Sequence, residues 1–281
     1  MLPRHPGRIT SVSRIPALLA LILCACDDST AAPLLGPEAV AEGSLVAAAL
    51  PAFREAAGTS WPSPPPEILR IHQAIAYGDL AAARQLATAG TTSHPESDEA
   101  AFTHGIVLYL SAAFGSARPL FERVLRNGPS FAGSDRVFYF YGICLNRLGE
   151  GQLAREAFDA QLALAPTDGD THAALAELTL QEGDPGAALI LFRRAMTLLE
   201  SEQQAGLPTG PARAKVLAGI GNAHLQQDQV EQALEALKTS VALDPSQPQP
   251  YYALSRVHLR LGDPVAAREA IDHFGRLSAG R

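Results

Sequence analysis

At 281 residues, 47% of them apolar, the chain has ample material for a buried core, which excludes disorder of the whole. Its net charge of −7 and the lack of any concentrated run of Lys or Arg argue against nucleic-acid binding. Three cysteines, Cys24, Cys26 and Cys144, the first two almost adjacent, offer no disulfide framework.

Residues 1 to 14 carry Arg4, Arg8 and Arg14 and no acid, and Ile15 to Ala25 then form an apolar run of signal-peptide length. A helix needs about 20 residues to cross the hydrocarbon core, so this run is too short for a retained span. Leu23-Cys24-Ala25-Cys26 resembles the lipobox of bacterial lipoproteins, with a large apolar residue three before the modified cysteine and a small one directly before it. Cys26 fits that pattern, whereas Cys24 would place Leu23 where a small residue belongs. The resemblance implies a signal peptide over 1–25, cleavage before Cys26 and lipid on its sulfur. The product would be a membrane-anchored lipoprotein of the bacterial cell envelope, facing the periplasm. A plain cleaved signal with a soluble periplasmic product is the alternative. Asp27 and Asp28 resemble the inner-membrane retention signal of enterobacterial lipoproteins, which other bacteria do not follow, so inner versus outer membrane stays open.

Residues 26–63 read as a tether, holding small residues and prolines with one helical piece around Glu38 to Ala57. Trp61-Pro62-Ser63-Pro64-Pro65-Pro66 is expected to be extended and stiff, with Trp61 capping the first packed helix.

From residue 64 onward the chain repeats. Alanines stand at 83, 117, 154, 188, 233 and 267, separated by 34, 37, 34, 45 and 34 residues. Other residue types keep step with them. Four after each comes Ala87, Phe121, Phe158, Phe192, Leu237 or Ile271, and five before stand the turn-formers Gly78, Ala112, Gly149, Gly183, Asp228 and Gly262. Twelve before stand Gly105, Gly142, Ala176, Gly221 and Ser255, small as a close helix crossing requires, with Ile71 the exception. Gly183-Asp184-Pro185 and Gly262-Asp263-Pro264 each end one helix, cap the next and place proline in its first turn.

This joint pattern resembles the tetratricopeptide repeat, a helical hairpin of 34 residues. The resemblance implies an all-α fold, a right-handed superhelix (α-solenoid) of about six hairpins. The units are 64–97, 98–131, 135–168, 169–202, 214–247 and 248–281. Between the fourth and fifth, residues 203–213 form an insertion with Pro208 and Pro211, expected as a longer second helix and a loop. The last unit lacks the polar capping helix of many arrays, so Ile271 and Phe274 are left for a partner, or for a second copy in a homodimer through the uncapped C-terminal repeat.

No catalytic constellation is legible. The histidines His72, His104, His172, His224, His258 and His273 never pair at helical metal spacing, Cys144 sits among apolar residues, and no phosphate loop occurs, so no metal, cofactor or catalytic residue is assigned. The resemblance instead implies a concave groove lined by the first helix of each hairpin. The inward register gives Phe102, Ile106, Tyr109, Tyr139 and Ile143 early, then Glu177, Gln181, Lys215, Asn222, Gln226, Arg256 and Arg260 late. For any single one of these, core packing or solvated surface explains the residue type equally well. A protein or peptide segment is the expected ligand. The tail clamp that this family uses on chaperones is met here by Asn222 alone and is not expected. The function these features imply is a non-catalytic scaffold or adaptor of the cell envelope. The alternative is a regulatory or substrate-presenting subunit of an envelope enzyme complex.

Overall fold

The computed structural model describes residues 44–279, which form thirteen α-helices and no strand. The signal segment, Cys26 and the first part of the tether lie outside the described residues.

Twelve helices make six hairpins: α2 (Pro66–Ala76) with α3 (Leu80–Ser93), α4 (Asp98–Leu110) with α5 (Phe114–Asn127), and α6 (Val137–Arg147) with α7 (Gly151–Leu164). They continue with α8 (Gly169–Gln181) and α9 (Pro185–Gln204), α10 (Gly210–Gln226) and α11 (Val230–Leu243), α12 (Pro248–Arg260) and α13 (Pro264–Ala279). Each second helix packs on the first helix of the next hairpin, and consecutive first helices touch one another. The result is an all-α helical-repeat superhelix. Among the described residues no helix is long and apolar enough to cross a membrane.

The repeat spacing has a steric origin. All six ladder alanines are buried, none more than 4% exposed. A Cβ added at Gly105 or Gly142 would stand 2.6 Å from the ring of Phe121 or Phe158, and one at Gly221 would stand 2.5 Å from Leu237. In the second, third and fifth hairpins the small position of the first helix is therefore the seat for the large residue of its own second helix. In the first hairpin the sizes are exchanged, with Ile71 on α2 and Ala87 on α3, both buried.

The six residues five before the alanines all have positive φ, which reverses the chain between the two helices. Four are glycine, and Ala112 (φ 56°) and Asp228 (φ 59°) are the only other described residues with positive φ that are not glycine. Side chains of Asp79, Ser97, Asp168, Asp184 and Asp263 cap the helices that follow by accepting backbone N–H groups.

The two irregular steps have different outcomes. The insertion is mostly helical: α9 runs on to Gln204, and α10 starts at Gly210 with Pro211 in its first turn, where proline needs no N–H partner. Only residues 205–209 remain as a loop. The three extra residues between the second and third hairpins lengthen the link over 128–136, which folds Phe131 inward to 6% exposure.

Against that region packs α1 (Leu45–Glu55), which touches α5 and α7. Its stripe of Val46, Ala49 and Phe53 is buried, and the Phe53 ring meets Phe138 edge-on with centroids 5.0 Å apart. The helical piece expected in the tether is thus part of the folded body. Trp61, half-buried, lines with Phe53 and Pro129 a small hollow beneath the end of α1.

Candidate interaction cleft

The first helices α8, α10 and α12 border a cleft of about 740 Å³ on the inner side of the superhelix. Glu177, Gln181, Lys215, Asn222, Gln226 and Arg256 all line it, so this late part of the expected groove is brought together in one place. Lys215 Nζ stands 3.1 Å from a Glu177 carboxylate oxygen. That carboxylate holds the Lys215 ammonium above its ordinary pKa, so the ammonium stays charged at neutral pH.

The early part departs from expectation. Phe102, Ile106 and Ile143 are at most 6% exposed and belong to the core. Phe102 packs among Phe121, Phe131 and Phe140, with ring centroids 5.3 to 5.9 Å apart. The cause is that α4 and α6 are apolar almost all round, and such helices bury more than one face. Tyr139 is half-covered beneath the Arg136 guanidinium, 4.6 Å from its ring centroid. Tyr109, packed on Phe114 and Phe140, has its phenol pKa raised by burial, while Lys215 and Arg147 act on it in the opposite sense. Tyr109 therefore lies within electrostatic reach of the cleft without lining it. Arg260 also lies off the cleft: its guanidinium donates to the Leu225 carbonyl and pairs with Asp228 at 2.9 Å, joining the fifth and sixth hairpins.

Family models described as a tetratricopeptide repeat and a TPR repeat match residues 114–169 and 221–262. The chain carries tetratricopeptide repeats. Among curated proteins none matches it. Of solved structures, it is similar to the APC/C hetero-tetramer Cut9–Hcn1, with a TM-score of 0.64 and 17% identity over 76% of this chain and 40% of the other. It is also similar to human IFIT1, solved as a dimer with m7Gppp-AAAA, with a TM-score of 0.60 and 14% identity over 74% of this chain and 49% of the other. The chain thus spans less than half the length of either. At such identities the likeness is one of fold.

The groove residues named from the sequence omit several lining residues of this repeat protein, among them Arg147 and Tyr252 in the register's own columns, and Phe274, expected on the outer face of the last unit, lines the cleft too. Arg147 is the thirteenth residue of its unit, in the column that holds Gln181, Gln226 and Arg260. Tyr252 shares the fifth-residue column of Phe102 and Tyr139. Phe274, on the last second helix, turns back onto Tyr252 with centroids 5.5 Å apart. No further hairpin among the described residues covers that position, which leaves it open to the cleft.

Cys144 is wholly buried, and burial pushes its thiol pKa up to about 12, so it packs as a small apolar side chain. Burial pulls His72 down to about 4, which keeps the imidazole neutral. Among the described residues no three His, Cys, Asp or Glu side chains gather as a metal would need.

Proposed function

We propose that this protein is a non-catalytic interaction scaffold or adaptor that holds a segment of a partner protein in the cleft between α8, α10 and α12. The observation that carries this reading is the cleft itself. An open trough lined by amides, charges and an aromatic pair, on a fold of interaction repeats, has the surface chemistry of peptide recognition. A photo-crosslinking side chain introduced at Asn222, inside the cleft, should capture a partner in cells. The same group at exposed Lys238, on the second helix of the fifth hairpin, should not. Equal labelling from both positions, or none from Asn222, would remove the cleft from the function.

The setting we infer is the bacterial cell envelope, with the chain anchored through lipid on Cys26 and the repeats facing the periplasm. The lipobox-like Leu23-Cys24-Ala25-Cys26 supports it. Several acyl chains on one cysteine would give stable anchoring where a single chain is marginal. Cys26→Ala is expected to move the protein from the membrane to the soluble fraction. A variant that sediments with membranes as firmly as the parent would sink the anchor.

A further inference from the structure

We infer that the cleft is selective for an acidic peptide segment, whose carboxylates sit between Arg147 and Arg256 while an apolar side chain rests on Tyr252 and Phe274. This rests on the proposed role of the cleft and specifies its ligand.

The charge census of the cleft runs against that of the chain. Arg147, Lys215 and Arg256 line it with a single acid, Glu177, on a protein whose net charge is −7. Glu177 is already engaged by Lys215 at 3.1 Å. Nearby Asp170 is within electrostatic reach of Lys215 but lies beside Arg136, at 3.9 Å. Arg147 and Arg256 are exposed and have no ion pair or hydrogen bond among the described residues, in contrast to Arg118, Arg123, Arg136, Arg155 and Arg260.

Two unpaired guanidiniums facing one concave space focus a positive potential there and present forked donors shaped for carboxylates. Asn222 and Gln181 line the same cleft with amides that both donate and accept, as a peptide backbone requires. Tyr252, 49% exposed, stacks loosely on Phe274 at the α12 end and offers an apolar platform beside Arg256.

The purified chain would be probed with an array of random dodecapeptides, then with the strongest binders as fluorescein-labelled peptides. Binders rich in Asp and Glu are expected, weakening as NaCl is raised. Arg147→Ala and Arg256→Ala should each weaken them about tenfold, the scale of a charge-assisted contact. Arg256→Glu should shift the array towards Lys- and Arg-bearing peptides. Because neither arginine has a partner, thermal unfolding of the alanine variants should match the parent, which separates lost binding from lost fold. Neutral or basic binders, or acidic ones indifferent to both arginines, would overturn the acidic preference and leave the scaffold reading standing. No binder on the array, with a crosslinked partner at Asn222, would also overturn it. No binder and no crosslink would overturn both.

Discussion

Phe53→Ala is expected to destabilise the protein by about 3 kcal/mol, the scale measured when a buried phenylalanine is truncated to alanine. Phe53 is 3% exposed and meets the fully buried Phe138 ring edge-on at 5.0 Å, while Val46 and Ala49 continue the same stripe of α1. An eleven-residue helix is marginal in water, so α1 is held by this contact and not by its own propensity. Trp61, the only tryptophan, shares a hollow with Phe53, and its fluorescence during urea unfolding reports the event where it happens. If the loss is under about 0.5 kcal/mol, within the range of ordinary surface substitutions, α1 is a loosely resting segment and not a part of the folding unit. The link between the second and third hairpins is three residues longer than the repeat requires, and α1 fills the side of the array where that link runs.

The repeat architecture was legible because its determinants are local and periodic. A glycine, alanine or aspartate at positive φ, an aspartate cap, a buried alanine and a small-against-large helix crossing each mark one point of the hairpin. The positive φ and the buried alanine recur in all six hairpins from Gly78 to Gly262, the aspartate cap in the first, fourth and sixth, and the small-against-large crossing in the second, third and fifth. Ala112 and Asp228 show that the turn dictates the backbone even where the residue resists it, at a strain of about 1 kcal/mol each. The cleft was half legible. Register finds which residues share a column, but not how deeply a column is buried, and that depends on neighbours brought in by the fold. Phe131, from an irregular link, joins Phe140 over Phe102 and turns a candidate contact residue into core. Nothing periodic announces such a residue. The docking of α1 escaped for the same reason: its stripe shows that it must cover something, while the surface it covers is assembled from Phe138, α5 and α7, far along the chain.

The second large effect is expected at Gly219, in the middle of α10. Its neighbour is the Phe192 ring of α9, which is wholly buried, and an added Cβ would overlap the ring atoms more severely than at Gly142 or Gly221. In the fourth hairpin the small position of the first helix is Ala176, so Phe192 leans across to the next hairpin and seats itself on Gly219. Gly219→Ala therefore forces apart α9 and α10, the contact that carries the superhelix past its insertion. Overpacking of this kind costs about 1–3 kcal/mol. Alanine returns about 1 kcal/mol of helix propensity, so a net loss of about 2 kcal/mol is expected at the upper end of the steric term. Gly275→Ala in α13, where a Cβ meets nothing within 4 Å, should show the propensity gain alone and stabilise. Adding Phe192→Leu to Gly219→Ala should recover part of the loss, because the two changes share one contact and their effects cannot be additive. Additive losses in urea unfolding would mean that the two residues do not meet. Gly219 also lines the cleft, so the single variant should weaken peptide binding as well as the fold, and the double variant should regain both together.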